Sequence, residues 1–281
     1  MVAMRSPIGT KQVIPLALGA VLGVLGLILT AGCDQAPTPK AEAPELLVYC
    51  GITMVHPMTE IGKIVEKEQG VRVVMSQGGS VDLYQALKTA GKGDLYLPGS
   101  ESFRKKYLGE GLLGDAVEVG YNQAALVTAK GNPKGLTDDI RQLIDPSIAA
   151  ALCNPDSGSI GNETKAILDR AGLTKAAYEN SALVATDSRD LNRALKNGDV
   201  ELILNWRATA FFQENRDSVS VIDLDPAVAV PKKLVLNLLT FSAQPQAARR
   251  FMEIAASPEG QAIFRKYGFQ DKDGKTDHLG P

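Results

Sequence analysis

The chain has 281 residues, 44% hydrophobic and 22% charged, which is room for one large or two modest domains with ordinary cores. Its 30 basic and 32 acidic residues leave a formal net charge of −2, which excludes a basic nucleic-acid-binding surface and a polyanionic tail. With two histidines and no carboxylates clustered at ligand spacing, no metal site and no cofactor are expected.

The N-terminus reads as a targeting segment rather than as part of the fold. Arg5 and Lys11 precede the apolar run Val13–Leu29, and small residues follow, the layout of an export signal over residues 1–32. The sequence "TAGC" at 30–33 resembles the lipobox of bacterial lipoproteins, which implies that Cys33 becomes the lipidated first residue. Asp34 resembles the inner-membrane retention signal of some Gram-negative lipoproteins. The alternative is an uncleaved anchor, since the run is just under spanning length. Either way the remainder lies outside the cytoplasm, tethered to a membrane. Residues 33–45 carry Pro37, Pro39 and Pro44 and read as an extended linker.

From residue 46 onward the pattern alternates between strand and helix. "ELLVYC" is a strand, and a helix follows over 57–69 with Met58, Ile61, Ile64 and Val65 on one face. "VRVVMS" is the next strand. A helix opening near Ser80 buries Leu83, Ala86 and Leu87, and "GDLYLPG" gives a short strand. The later strands are "AALVTA", "AAALC", "ALVA", "VELILNW" and "KLVLNLLTFS". Helices are predicted in "GNETKAILDRAGL", over 188–197, from Pro245 through Ala256, and in "SPEGQAIFRKYGF". This alternation implies open, mostly parallel sheets, in which ligands bind beyond the carboxyl ends of the strands.

Four strand-to-helix junctions share one chemistry: "CGITM" (50–54), "SQGGS" (76–80), "CNPDSGSIGN" (153–162) and "ATDSR" (185–189). Each sets small and hydroxylated residues before a helix, whose first turn carries unpaired N–H groups and partial positive charge. At any one junction a hydroxyl can cap its own helix or donate to a ligand. Four such junctions in one chain point to a shared anion site.

The segments "LLVYCGITMVHPMTEIGKIVEKEQGVRVVMSQGGSVDLYQAL", "GDLYLPGS", "ALVTAKGNPKG", "NPDSGSIGNETKAILDRAGL" and "SPEGQAIFRKYGF", in that order, resemble the molybdate/tungstate-binding proteins of ABC importers. The resemblance implies the two-lobe α/β fold of type II periplasmic binding proteins. Lobe I would comprise 46–124 and 239–281, lobe II 125–238, with a tetrahedral oxyanion between them. Carried over position by position, its ligand set falls on Thr53, on Ser80 beside Gly79, on Ile160 beside Ser159, on Ser188 and on Trp206 followed by Arg207. Trp206 and Arg207 depart from the family pattern: an indole offers only its N–H, and a guanidinium adds full charge. The resemblance further implies a monomer that delivers its anion to an ABC permease. A lipoprotein signalling occupancy to a membrane sensor kinase is the alternative, and a sulfate-, phosphorus- or arsenic-type oxyanion or a small carboxylate the alternative ligand.

Several residues keep two readings. Arg207 is either an anion clamp or half of an ion pair, and Trp206 a cleft wall or core. His56, Tyr84 and Tyr96 can reach toward a ligand or serve structure, and Asp82 suits the positive end of its own helix. Cys50 and Cys153 form a disulfide or two buried thiols. No HExxH, GxSxG, Walker A or paired CxxC sequence occurs, and Cys50 with His56 has no third orienting residue, so no catalysis is expected.

Overall fold

The computed structural model describes residues 43–277. The export signal, Cys33 and the linker up to residue 42 lie outside the described residues. The first lobe opens with strand β1 (Glu45–Gly51), helix α1 (Val55–Gln69), β2 (Arg72–Gly78), α2 (Ser80–Ala90), β3 (Leu95–Leu97), α3 (Glu101–Tyr107) and β4 (Leu113–Asn122). The second lobe holds β5 (Ala124–Ala129), β6 (Ala150–Cys153), α4 (Ser159–Ala171), α5 (Thr174–Asn180), β7 (Leu183–Ala185), α6 (Ser188–Asn197), β8 (Leu202–Trp206) and β9 (Val219–Asp223). The chain then returns through β10 (Lys232–Leu239), α7 (Pro245–Ala256) and α8 (Pro258–Lys266).

Two five-stranded sheets result, ordered β2-β1-β3-β10-β4 and β7-β6-β8-β5-β9. In each, one strand opposes the other four: β10 in the first sheet and β5 in the second. These are the strands that enter a sheet from the other lobe. The expected return at residue 239 comes too late, because β10 pairs with β4 from Lys232↔Asn122 onward. The crossing is instead the Pro226-to-Pro231 stretch, and Leu234, Leu236 and Leu238 already belong to the first lobe's core.

Period-two alternation builds that core. Leu46, Val48 and Cys50 of β1 face α1, α7 and α8, while Tyr49 faces α2 and α3 on the opposite side. α1 buries Met58, Ile61 and Val65 on a single stripe, and Gly70, at φ 63, ends it in the left-handed conformation that closes a helix. The second lobe has one contiguous core, in which Ile167 and Leu168 of α4 and Leu191 and Leu195 of α6 cover Leu152, Ile203 and Leu204.

At the crossing, Gln123 binds both connecting segments together. Its amide nitrogen donates to the carbonyls of Leu224 at 3.1 Å and Ala229 at 2.9 Å, and its oxygen accepts from Gln270 at 2.6 Å. A single residue therefore fixes where one lobe ends and the other begins.

Cys50 lies in the first sheet and Cys153 in the second, both buried and both free thiols. The disulfide alternative is thereby set aside. Burial pushes both thiols above their ordinary range, Cys50 the further of the two. In the native protein a maleimide should leave Cys50 and Cys153 untouched, and in denaturant without reductant it should label both. Peptide mass spectrometry reads the result, and a cross-linked Cys50–Cys153 peptide would contradict it.

Candidate functional site

The parallel register brings the ends of β1 and β2 together at Gly51↔Gly78, with Leu97 of β3 beside Cys50. In the second sheet Cys153 of β6 ends opposite Ala185 of β7. The helix starts that follow these ends are the four junctions seen in the sequence, and all four line one cavity between the lobes.

Three of the four helices begin without a side-chain cap. After β1 a single 3-10 turn, Ile52–Met54, leads into α1, and neither start is capped. Among the described residues, the hydroxyl of buried Thr53 meets only the Met54 sulfur, a weak acceptor. Ser80 is the first residue of α2 and just 2% exposed, yet its hydroxyl caps nothing. It accepts the Gly99 N–H at 3.0 Å, which leaves its own proton to donate elsewhere. Ser159 opens α4 in the same manner: no cap is made, and its oxygen accepts the Trp206 indole N–H at 3.1 Å. Ile160 follows, buried, with its N–H in the uncapped first turn.

The fourth start differs. Asp187 caps α6, accepting the N–H groups of Arg189 at 2.7 Å and Asp190 at 3.0 Å. Both bonds fall on its Oδ1. The neighbouring Ser188 hydroxyl, buried, has no partner among the described residues, while its carbonyl accepts from Asn205 at 3.0 Å.

The cavity these groups enclose measures about 30 Å³. One water needs roughly 10–15 Å³ on that scale, so the space suits an ion of a few heavy atoms. The lobes touch around it. A Cβ placed on Gly99 would lie 2.2 Å from Ser159 Oγ, and one on Gly79 would lie 3.1 Å from the Ser157 carbonyl. At the rim, Arg189 of the second lobe donates to Gln77 of the first at 2.6 Å. This is a closed cleft.

Of the residues expected from sequence, Thr53, Gly79, Ser80, Ser159, Ile160, Ser188 and Trp206 meet at the cavity. Arg207 does not. Its side chain turns away, donating to Asp223 at 2.7 Å, to the Gly268 carbonyl and Thr276 at 3.0 Å each, and to the Asp277 carbonyl at 3.0 Å. The reason is a change of backbone: β8 ends at Trp206, and a 3-10 turn over Arg207–Phe211 carries the next side chain away from the cleft. Arg207 ties the second lobe to the chain's last described segment.

His56 also lies apart, its ring edge-on to Phe212 at 4.7 Å and stacked on Tyr267 at 5.9 Å. Tyr96 donates its hydroxyl to the Ser80 carbonyl at 2.8 Å, and burial pushes its pKa well up, which keeps it a donor. Tyr84 stacks on Tyr107 at 3.6 Å within the core. Asp82 is exposed in the first turn of α2. Two residues that matter were missed, Gly99 and Asp187. Gly99 sits in "LPGS", a fifth strand-to-helix junction, hidden because α3 has only seven residues.

No lysine or arginine lines the cavity, and among the described residues no group of three or more His, Cys, Asp or Glu is placed to hold a metal ion. What the site offers is a shell of O–H and N–H donors with low formal charge.

The sequence profile of the bacterial extracellular solute-binding protein family matches residues 46–270. A binding protein of Haemophilus influenzae is 24% identical over 249 residues, covering 89% of this chain and 97% of its own. The molybdate-binding protein ModA of Rhodobacter capsulatus is 22% identical over 232 residues, covering 82% of this chain and 89% of its own. Among solved structures, a periplasmic thiamin-binding protein superposes with a TM-score of 0.71 at 16% identity, covering 87% of both chains.

Two substitutions separate the site from its support. Gly99→Val should leave the fold intact but hold the lobes apart, read as an increased radius of gyration in small-angle scattering. Arg207→Ala should cost about 2 kcal/mol, the lost bonds of a buried side chain, and lower the melting temperature by roughly 4–8 °C. Anion affinity in that variant should stay within about threefold of the parent, whereas a clamp on the ligand would lose at least tenfold.

Proposed function

The chain belongs to the bacterial extracellular solute-binding protein family, and from that premise we propose that it captures a small tetrahedral oxyanion for an ABC importer. Molybdate and tungstate are the first candidates. In this reading the protein is held by a lipid on Cys33 to the outer side of the cytoplasmic membrane, and works there as a monomer. The observation that carries the proposal is the convergence of two uncapped helix starts, those of α2 and α4, and the uncapped 3-10 turn Ile52–Met54 on a cavity of about 30 Å³. Relatives of the fold serve ligands as unlike as molybdate and thiamin. The size of the closed cavity favours the smaller.

The donors account for both affinity and choice. Thr53, Ser80, Ser159 and Ser188 offer hydroxyls, and the first turns of α2 and α4 offer N–H groups. Hydrogen bonds to a charged group contribute about 1.5–3 kcal/mol each, so six can offset dehydration and lobe closure and leave about −8 kcal/mol, in the micromolar range. Ser80 and Ser159 already accept from Gly99 and Trp206, which turns their protons toward the ligand. Such a shell suits an anion with no proton of its own.

Trp206 is the chain's only tryptophan and forms part of the cavity wall, so its fluorescence should report occupancy. Molybdate, tungstate or sulfate should shift that emission and raise the melting temperature, with calorimetry giving the affinities. If none of the oxyanions acts, the reading fails. Ser80→Ala should weaken the ligand by about tenfold, the value of one charge-assisted bond, while equal affinity would remove Ser80 from the binding set. Binding of sulfate or molybdate should be flat across neutral pH, because the donors do not titrate there. Binding of a phosphate monoester should fall as pH drops through about 6, where its dianion takes up a proton.

A further inference from the structure

A second cavity lies directly behind the cleft. It measures about 320 Å³ and shares Ser159 and Trp206 with the anion cavity, so the indole hydrogen-bonded to Ser159 is the common wall. The second lobe contributes Asn162, Glu163 and Ala166 from α4, and the first contributes Lys105 and Lys232. Nothing in a bare oxyanion's recognition calls for such a compartment.

Glu163 is its unusual member. The side chain is only 7% exposed. One carboxylate oxygen meets the Lys232 ammonium at 3.1 Å, while Oε1 makes no hydrogen bond and has Arg170 only at 3.9 Å. A buried acceptor without a donor is costly and marks a place where a donor is wanted. Burial pushes the carboxyl's pKa up, although Lys232 and Arg170 pull it down.

Helix geometry sets the distance. Ser159 and Glu163 are four residues apart on α4, hence on one face and about 6 Å apart along the axis. An anion at the start of α4 therefore has Glu163 one turn away, the reach of a two- or three-carbon chain. Charge selects among such chains. Glu163 is paired with Lys232 and Glu101 with Lys105 at 2.9 Å, so the compartment is already balanced. An additional ammonium or carboxylate would disturb one of those pairs, whereas a hydroxyl would not.

Resting on the anion reading of the cleft, we propose that this compartment receives a short hydroxylated substituent carried by the anion, with Glu163 accepting its hydroxyl. The ligand class thereby extends from bare oxyanions to hydroxyalkyl monoesters and phosphonates. The tetrahedral head sits among the helix starts, and its fourth oxygen or carbon passes beside Trp206. Ala166 faces the tail only, since it lines the compartment and not the anion cavity.

Trp206 fluorescence and calorimetry on the purified protein test this at pH of about 8, where monoesters are dianions. The probes are glycerol 3-phosphate, n-propyl phosphate, sulfate and molybdate. Glycerol 3-phosphate should bind at least about fivefold tighter than n-propyl phosphate, the worth of a neutral hydrogen bond. Ala166→Leu, which sets a larger side chain into the compartment beside Glu163, should abolish that preference and leave sulfate and molybdate within about twofold of the parent. Equal binding of the two esters, or a preference that survives Ala166→Leu, overturns the proposal while leaving the anion cleft intact. If no anion binds, bare or substituted, the cleft reading itself fails and the proposal falls with it.

Discussion

The N–H groups at the starts of α2 and α4 have no side-chain caps, and the rest of the site is arranged around that shortage. A buried helix start without a partner is unfavourable, and the usual remedy is a serine, threonine or aspartate folded back over the first turn. α6 takes that remedy through Asp187. In α2 and α4 the cap positions are Gly79 and Gly158, which have no side chain to fold back, and the serines that follow are each fixed by a donor from elsewhere, Gly99 or Trp206. Each serine hydroxyl is one more donor beside the open N–H groups. On the proposed reading, an anion between the lobes is what accepts from all of them together.

Closure has its own requirements, met by small residues and by the double crossing. Gly99 and Gly79 have no room for a side chain without moving Ser159 or the Ser157 backbone, so the lobes approach to backbone distance. Gln123 joins the two connecting segments, and Arg207 joins the second lobe to the segment after α8. These contacts lie on the side away from the cavity. At the cleft itself, the Arg189–Gln77 bond at the rim joins the lobes.

Much of this was legible in the sequence because the site is built from local signals. A strand, a small-residue turn and an amphipathic helix follow one another at each junction, so the four junctions could be picked out without knowing how the lobes pack, and the family resemblance then singled out positions 53, 80, 159 and 188 within them. The orientation of Arg207 was not legible from its residue type, because it follows from the 3-10 turn that begins where β8 ends. β4 escaped notice because Gly114, Asp115, Glu118 and Gly120 interrupt its apolar residues, and its pairing depends on β10 more than a hundred residues later. The same long-range pairing moved the lobe boundary from 239 to before Lys232. Burial of Glu163 was equally invisible, since a glutamate on an amphipathic helix ordinarily faces water.

The low charge of the cleft bears on which ions it can tell apart. A lysine or arginine in the cavity would attract any anion and discriminate mainly by charge. Fixed hydroxyls and N–H groups respond to geometry and to the number of acceptor oxygens, and the N–H groups cannot accept a proton from the ligand. A wrong ion therefore leaves a buried donor unpaired, or forces two donors together, and either outcome costs more than a weak contact gains. Neutral donors also let the ligand go: when the lobes part, water replaces each hydrogen bond at little cost, whereas a buried ion pair would resist separation. A capture protein that must release its cargo is better served by many modest donors than by one strong charge, and the withdrawal of Arg207 from the cavity, one residue beyond its wall, is consistent with that demand.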